Sequence, residues 1–478
     1  MKRASGVLLH ISSLPGEYSS GDFGKGAYDF VDFLAGSGFS YWQTLPFCLP
    51  DDTASAYQSF SAFSCNPYFI DIDQLYVEGL ITEEEKNQAK QKTPYKMEFE
   101  RLVKERLPLL AKAAERVKDF SAVESFINEN PYLHRFCSFM AYREANENKP
   151  WRLWSKEHFS FPTYQTWAFI SYTFFKQWQR LKAYANQKGI SLIGDIPIYV
   201  AYESADVFSE PQLFLLDEDN LPLAVAGVPP DYFSEDGQLW GNPIYRWEKM
   251  KEEGFAFWRA RVEQIFSLFD GVRLDHFRGF DTYYQVPYGA PNAREGTWQQ
   301  GPREALVDVL KESAAGKLVI AEDLGENTPS VQSLLDYSGF LGMRVLQFGF
   351  LGGEETRHLP HNYEKSCVAY TGTHDNNTFL GYLMESAEET RQRALDYCGY
   401  EKKEGWDKDN TFLLRTMLAS AADLVIFPMQ DLLYFGADTR MNTPGTAKEN
   451  WLYRMTAEQL KSIDRKRLAF LNSLYYRS

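Results

Sequence analysis

Short apolar runs recur along the chain, and eight of them have the length and composition of buried strands. They are apolar almost throughout instead of alternating with polar residues, which is typical of parallel strands covered on both faces. The runs are GVLLHI (6–11), YWQTLPF (41–47), SLIGDIPIYV (191–200), GVRLD (271–275), KLVIAEDLG (317–325), GMRVLQFGF (342–350), CVAYTGTHD (367–375) and DLVIFPMQD (423–431).

Segments with apolar residues at helical spacing separate most of these runs. Examples are AYDFVDFLAGSG (27–38), SYTFFKQWQRLKAYANQKG (171–189), FWRARVEQIFSLFD (257–270) and PSVQSLLDYSG (329–339). QKG and YSG end two of them with a glycine typical of a helix C-cap. Strand and helix alternating eight times predicts an α/β chain folded as a (β/α)₈ TIM barrel. An open doubly wound sheet is the alternative, but no GxGxxG motif follows the first strand.

Two long segments interrupt this alternation within a single barrel of residues 1–478. Residues 50–190 are too many for one loop. They contain the helical runs ITEEEKNQAK (81–90) and MEFERLVKERLPLLAKAAERVKDF (97–120), so we expect a mainly helical insertion. Residues 202–260, rich in Pro, Gly and aromatic side chains, form a second predicted insertion.

Composition and net charge limit the classes of molecule that the chain is expected to bind and the compartment in which it is expected to reside. The chain has 50 basic and 65 acidic residues, a net charge of −15, which argues against nucleic acid and weakly against anionic membranes. No apolar run has transmembrane length, and the N-terminus lacks a signal-peptide apolar region. The odd, scattered cysteines predict a reducing compartment, hence the cytoplasm, without disulfides or a zinc site: Cys48, Cys65, Cys137, Cys367 and Cys398.

Charged side chains gather where the predicted strands end. In a barrel of this type, the carboxyl ends of the strands carry the active site. Several carboxylates crowded there would repel one another, which structural stability alone does not favour. The polar residues at these ends are Asp195; Arg273, Asp275, His276 and Arg278; Glu322 and Asp323; His374, Asp375, Asn376 and Asn377; and Gln430 and Asp431.

Asp275 lies between two arginines in the stretch DGVRLDHFRGF (270–280). A structural ion pair is one interpretation. The other is a nucleophile, because Arg273 and Arg278 would favour the ionised carboxylate. A metal site is a lesser possibility, since a cationic or imidazole neighbour in each cluster would compete with the ion. We therefore expect neither a metal nor a cofactor.

Paired carboxylates without a metal suggest glycoside chemistry. Asp275 suits the ionised role. Glu322 follows the apolar run KLVIA, so burial should raise its pKa, as a general acid requires. Asp375 would be the third member and could bind the sugar hydroxyls beside the anomeric carbon.

Several motifs resemble one family over nearly the whole chain. In this order, RLDHFRG, AEDLG and TGTHDNNT resemble regions of the α-amylase superfamily. The narrower resemblance is to the amylomaltases of glycoside hydrolase family 77, the 4-α-glucanotransferases also called disproportionating enzymes. It rests on HISSLPG (10–16), SAYQSFSAFSCNPYFIDI (55–72), PPDYFSEDGQLWGNPIYRW (229–247) and MNTPGT (441–446). It implies a barrel without a C-terminal β-sandwich domain.

The resemblance also implies roles for individual residues. Asp275 would be the nucleophile, Glu322 the acid/base and Asp375 the transition-state stabiliser. His10 is more simply interpreted as a core histidine. His276 alternates to the opposite side of an extended chain and would orient Asp275. Tyr57 and Trp240 could be core aromatics, although their Gly/Pro-rich context favours exposed loops. The implied substrate-binding residues are Tyr57, Asp195, Trp240, Arg273, His276, His374 and Asn442.

The predicted function is transfer of α-1,4-glucan segments between maltooligosaccharides, or starch and glycogen dextrins, with retention of configuration. A hydrolase on the same substrates and a non-catalytic glucan-binding protein are the alternatives. Transfer requires that water be excluded and the acceptor held. The predicted cover is the loop 227–243, with Pro229, Pro230, Tyr232, Phe233 and Trp240. The oligomeric state is left open.

Overall fold

The computed structural model describes residues 2–156, 158–230, 235–352, 355–401, 409–446 and 449–478. Within those residues, eight parallel strands close into a barrel in the order β1-β12-β11-β10-β9-β6-β3-β2, which confirms the predicted fold. The strands in chain order are β1 (Ala4–Leu8), β2 (Tyr41–Gln43), β3 (Ser191–Ile196), β4 (Ala224–Val228), β5 (Gln238–Pro243), β6 (Gly271–Leu274), β7 (Thr282–Pro287), β8 (Thr297–Gln300), β9 (Leu318–Ala321), β10 (Leu341–Val345), β11 (Cys367–Tyr370) and β12 (Leu424–Pro428).

Each of the eight apolar runs overlaps one barrel strand, and every strand is shorter than its run. Two strands, β1 and β10, begin before their predicted runs, at Ala4 and Leu341. The run 191–200 leaves the sheet after Ile196 because Pro197 has no N–H for the ladder. Every residue of β11 and β12 is buried, as expected for strands covered on both faces. The register between β3 and β6 sets Asp195 beside Arg273, so two charged residues meet inside the barrel.

Helices surround the barrel and build the insertion. Gly189 follows the helix Phe161–Gln187 and Gly339 follows the helix Pro329–Ser338, with φ of 78° and 68°, which confirms both predicted C-caps. The helices in chain order are α1 (Lys25–Gly36), α2 (Ile72–Val77), α3 (Glu83–Gln88), α4 (Phe99–Arg101), α5 (Leu107–Glu115), α6 (Ser121–Asn128), α7 (Pro131–Ala145), α8 (Phe161–Gln187), α9 (Ala205–Ser209), α10 (Trp247–Glu252), α11 (Ala256–Leu268), α12 (Arg303–Ala314), α13 (Pro329–Ser338), α14 (Phe379–Glu385), α15 (Glu388–Tyr397), α16 (Thr411–Ala419), α17 (Met429–Leu432), α18 (Ala457–Ser462) and α19 (Arg465–Leu474).

Helices α2–α8 lie between β2 and β3, and an aromatic cluster joins them to the barrel. The ring of Phe47 lies 4.7 Å from that of Trp178 on α8 and 4.9 Å from that of Phe269 beside β6. The indole N–H of Trp178 donates to the carbonyl oxygen of Leu268 at 2.9 Å. Much of the aromatic content is therefore core, and it fixes the helical insertion to the barrel.

A second sheet, absent from the sequence prediction, is antiparallel and has the order β5-β4-β7-β8 in the described structure. β4 and β5 lie in the predicted insertion 202–260, whereas β7 and β8 follow the fourth barrel strand. One face of this sheet has its own small apolar cluster of Val225, Tyr284, Val286 and Ala293. The sheet stands beside the loop that follows β6.

Beyond β12, the described residues form helices and turns, without the strands that a β-sandwich would need. The fully buried Arg477 lies at the amino-terminal end of the barrel strands. Its guanidinium donates to the carbonyl oxygens of Leu418 and Ser420 at 2.8 Å and of Ala4 at 3.0 Å. The final turn of the described chain therefore fastens β1 to the segment before β12.

Candidate functional site

The carboxyl ends of the barrel strands bring the predicted polar residues to one rim. Asp195 lies on β3 and Arg273 on β6, and Asp275 directly follows β6. Glu322 directly follows β9, and Asp375 lies in the loop after β11. Because all barrel strands are parallel, these side chains emerge on the same face.

Arg273 links two carboxylates. Its Nη1 lies 2.8 Å from Oδ2 of Asp195 and 2.9 Å from Oδ1 of Asp275. The side chains of Arg273 and Asp195 are buried, whereas a quarter of the Asp275 side chain (25%) is exposed toward the rim. Burial alone would lower the pKa of Arg273, but the neighbouring Asp195 and Asp275 charges raise it, so the guanidinium stays charged.

Arg278 does not share this role, which corrects the expectation of two arginines around Asp275. Its Nη1 donates to the carbonyl oxygen of Glu326 at 2.6 Å, and its guanidinium carbon lies 4.1 Å from the ring centroid of Trp298. The chain turns into a short 3₁₀ helix, Phe277–Phe280, immediately after the strand. That turn directs Arg278 away from Asp275.

Glu322 has the environment of a general acid. Its Oε2 accepts from the backbone N–H of His276 at 2.8 Å, and its Oε1 accepts from that of Leu324 at 3.0 Å. Burial raises the pKa of Glu322 to about 7, with Arg273 opposing the shift and Asp275 adding to it. The upward shift expected from the apolar run before Glu322 is thus present.

His276 adopts a left-handed backbone with φ of 48° and ψ of 50°. The expectation of an extended chain at this position is therefore wrong. The turn lets its N–H reach Glu322, and its ring stands edge-on to Trp240 with 5.0 Å between centroids. Burial lowers the pKa of His276 to about 4, so the imidazole is neutral near pH 7.

Asp375 is held by a loop that follows β12. Asn442 Nδ2 donates to Oδ1 of Asp375 at 2.6 Å, and His374 Nε2 lies 3.3 Å from the same oxygen. Arg440 Nη2 donates to the carbonyl oxygen of Asp375 at 2.5 Å and Arg440 Nε to that of Asn442 at 2.7 Å. The Asp375 side chain is 42% exposed, so it is both oriented and accessible.

Tyr57 and His374 form one wall of the site. Their rings are stacked, with centroids 5.1 Å apart and planes inclined by 10°. The Tyr57 hydroxyl donates to Oδ2 of Asp195 at 2.7 Å, and burial raises the pKa of that hydroxyl, which stays protonated. Burial also lowers the pKa of His374. Through these contacts, the loop of the helical insertion that carries Tyr57 is attached to the barrel.

Trp451 completes that wall, and sequence reasoning missed it together with Arg440. The Trp451 ring lies 5.9 Å from Tyr57 and 5.8 Å from His374, and only 6% of the residue is exposed. Its backbone is left-handed, with φ of 67°, and its N–H donates to the carbonyl oxygen of Met441 at 2.7 Å. The only sequence feature that could have pointed to Trp451 is its position, ten residues after the start of the motif MNTPGT.

Trp240 stands on β5 at the edge of the predicted covering loop. It is partly exposed, and its carbonyl oxygen accepts from Gln58 Nε2 at 3.2 Å, so it is neither core nor free. Of the other residues predicted for the loop 227–243, Tyr232 and Phe233 lie outside the described residues. Pro229 and Pro230 come directly before that gap.

Three polar residues flagged by sequence position have structural partners instead. Asp323 accepts from the N–H of Met343 at 2.7 Å and pairs with Arg344 and Arg357 at 3.2 Å and 2.9 Å. Asp431 accepts from the N–H of Phe379 at 2.7 Å. His10 is buried, as expected for a core histidine, and its Nδ1 accepts from the N–H of Leu45 at 3.3 Å.

In the part of the chain that the structure describes, no group of three or more His, Cys, Asp or Glu side chains is arranged to hold a metal ion. No helix in those residues combines the length and hydropathy needed to span a membrane.

Comparison with known proteins assigns the family. The sequence profile of the 4-α-glucanotransferases, glycoside hydrolase family 77, matches residues 9–460. The chain belongs to this family. It is 42% identical to a 4-α-glucanotransferase of Clostridium butyricum over 93% of this chain and 95% of the relative. A 4-α-glucanotransferase of Aquifex aeolicus is also 42% identical, over 95% of each chain.

The chain has the fold of this family along its whole length. The solved amylomaltase of Streptococcus agalactiae in complex with acarbose superposes with a TM-score of 0.95 and 37% identity, covering all of both chains. The resemblance inferred from the motifs is confirmed, and with it the assignment of 4-α-glucanotransferase activity over hydrolysis or simple binding.

Proposed function

We propose that this enzyme moves α-1,4-glucan segments between maltooligosaccharides by a retaining double displacement at Asp275, Glu322 and Asp375. One observation carries the proposal: the carboxylates at one rim have different surroundings. Asp275 is paired with the charged Arg273, while burial raises the pKa of Glu322 to about 7. A nucleophile and an acid require such a difference.

In the first step, a carboxylate oxygen of Asp275 forms a bond to the anomeric carbon of the donor glucan. The bond from that carbon to the glycosidic oxygen breaks, and Glu322 gives its proton to the departing oxygen. Asp375, oriented by Asn442 at 2.6 Å, would bind sugar hydroxyls beside the reacting carbon. The product is a β-linked glucosyl–enzyme.

In the second step, the 4-hydroxyl of another glucan gives its proton to Glu322 and attacks the same carbon. The ester bond to Asp275 breaks, and two inversions give net retention. Water would give hydrolysis from the same intermediate. We propose that the loop 227–243, with Trp240, shields the intermediate and holds the acceptor.

The proposed substrate contacts follow the two walls of the site. One connected network of contacts contains Tyr57, Asp195, Arg273 and His374. Its members are joined by a hydrogen bond, an ion pair and ring stacking. The rings of Trp240 and His276 contact each other, and His276 directly follows Asp275 in the chain. We assign α-1,4-glucans such as maltooligosaccharides, starch and glycogen dextrins to these residues and to Asn442.

The proposal extends to organisation and compartment. Residues 1–478 would be one catalytic barrel, with insertions at 50–190 and 202–260; helices α2–α8 support the first. Residence in the cytoplasm is supported by the cysteines, all of which are free thiols.

Chromatography of the products formed from maltotriose alone tests the function. We expect both longer chains and glucose, because every donor can also serve as acceptor. Asp275→Asn should lower transfer by at least about a thousandfold while the variant still binds maltooligosaccharides, since the amide keeps the shape but forms no ester. Glucose release without chain redistribution would favour the hydrolase. Substantial transfer by the variant would leave Asp275 a structural role only.

A further inference from the structure

The small antiparallel sheet holds the loop after β6 between two tryptophans. β5 carries Trp240, whose ring stands 5.0 Å from that of His276. β8 carries Trp298, whose ring centroid lies 4.1 Å from the guanidinium carbon of Arg278. His276 and Arg278 are two residues apart, so both rings flank the loop that begins with Asp275.

Trp298 is accessible yet held in place. It is 42% exposed, although it contacts the ring of Tyr284, its partner across β7 and β8, at 5.3 Å. The Arg278 side chain beside it is only 10% exposed, and its Nη1 is fixed to the carbonyl oxygen of Glu326 at 2.6 Å. An exposed indole supported by a buried cation is a preformed surface, so little ordering would be needed on binding.

This surface adjoins the loop of the acid/base residue. Glu326 follows Glu322 by four residues, and the N–H of Phe277 donates to the carbonyl oxygen of Glu322 at 3.0 Å. Glu322 protonates the departing oxygen and later deprotonates the acceptor hydroxyl. The Trp298 surface, which contacts this loop through Arg278 and Glu326, is therefore adjacent to the residue that serves the leaving group and the acceptor.

We propose that Trp298, Arg278 and Glu326, here called the Trp298 platform, bind an acceptor α-glucan at sugars beyond the one that reacts. The inference rests on the proposed transfer function. The indole face suits the apolar C–H face of a pyranose. The Glu326 side chain, which is 78% exposed, can bond to sugar hydroxyls. Gln300 is exposed as a residue, and its amide oxygen can do the same while its Nε2 donates to the carbonyl oxygen of Asp281 at 3.0 Å. The platform would thus favour long acceptors over glucose.

The test compares two acceptors in Trp298→Thr, which removes the ring but keeps a residue suited to a strand. The donor is a maltotriosyl fluoride whose terminal 4-hydroxyl is replaced by hydrogen, so it cannot accept. Labelled glucose and labelled maltotetraose then compete for one glycosyl–enzyme, and effects on its formation cancel. We expect the ratio of maltotetraose to glucose transfer to fall about fivefold to tenfold.

Trp298→Phe should restore most of the ratio because it restores an aromatic face. The matched control is Tyr337→Ala on α13, since Tyr337 is 45% exposed and has Lys311 5.0 Å from its ring. That control should leave the ratio unchanged. An unchanged ratio in folded Trp298→Thr, or an equal fall in the control, overturns the platform. Absence of transfer to either acceptor by the wild-type enzyme would instead refute the proposed function.

Discussion

At the scale of single residues, Arg273 separates the roles of carboxylates that share one rim. Its guanidinium is close to Asp195 and Asp275, at 2.8 Å and 2.9 Å, whereas Glu322 is bonded to two backbone N–H groups. The ion pair with Arg273 places a positive charge beside Asp275. Burial opposes ionisation of Glu322, and the assignment of acid and nucleophile follows from that contrast.

Glu322→Gln should be rescued by a donor that needs no proton. With maltotriose, formation of the glycosyl–enzyme should slow by about a hundredfold to ten-thousandfold, because the acid is missing. With α-glucosyl fluoride, the step should recover, and the intermediate should accumulate in mass spectra of the intact protein. Glu312→Gln, on the exposed face of α12, serves as the control. A fluoride donor that remains as slow as maltotriose would count against Glu322 as the acid.

The pH profile should depend on the donor. Because the proton on Glu322 is lost near pH 7, kcat/KM for maltotriose should fall about tenfold per pH unit above that value. With the fluoride donor, this alkaline fall should be much weaker, since departure needs no proton. Initial rates with both donors between pH 5 and about 9 provide the comparison. Parallel profiles would assign the titration to another group.

At the scale of elements, the two sheets show what patterns in the sequence can and cannot predict. Barrel strands are buried on both faces, so they stand out as apolar runs even when short. In the small sheet, β7 (TYYQVP) and β8 (TWQQ) are partly exposed and mix polar with aromatic residues. The pairing of β7 with β4 joins segments separated by a barrel strand, and a local pattern carries no information about such pairing.

The residues of the site also divide into those that the sequence could predict and those that it could not. Asp275, Glu322 and Asp375 were predictable because they follow strands at the functional end of a barrel. Trp451 and Trp298 were not, since their positions depend on the path of a loop and on an unpredicted sheet. Trp451 also has a left-handed backbone, a conformation that sequence does not signal for a tryptophan.

Trp240→Ala tests the role of β5 in choosing sugar over water. An aromatic platform contributes roughly 0.5–1.5 kcal/mol of specific contact, and about 1.4 kcal/mol is tenfold in partitioning. The ratio of hydrolysis to transfer on maltotriose should therefore rise several-fold, measured as glucose released against chains lengthened. If Trp240 serves only to support the fold around β5, both rates and the melting temperature should fall together. An unchanged ratio in a stable variant excludes it from the shield.

At the scale of the whole molecule, closure of the barrel depends on the pair β1 and β12. They are joined over five residue pairs, from Ala4 with Leu424 to Leu8 with Pro428. Arg477 stabilises this junction at the amino-terminal ends of the two strands, because its guanidinium donates hydrogen bonds to carbonyl oxygens on both sides of it. The rim with the proposed catalytic carboxylates is at the other end of the same strands. In such barrels one end of the strands contributes stability and the other carries the active site.

Arg477→Met should destabilise the fold while sparing the site. Its loss removes the charged donor of the Ala4 carbonyl oxygen, whereas the carbonyl oxygens of Leu418 and Ser420 still accept from Arg3, so we expect a cost of about 1–3 kcal/mol. Urea unfolding followed by circular dichroism measures this difference. Lys25→Met, at a side chain that is 83% exposed, is the control. Unfolding midpoints that match the control would show that the junction does not need Arg477.

The strand β12, which pairs with β1, is synthesised long after β1, and this has a consequence for folding on the ribosome. About 420 residues separate β1 from β12, so at roughly 5–20 residues per second the first strand waits about 20–80 s for its final neighbour. Throughout that time one edge of β1 is unpaired, and an open strand edge is a template for aggregation. The nascent chain already contains Asp275, Glu322 and Asp375 before the barrel can close, and chaperones would be most valuable in that interval.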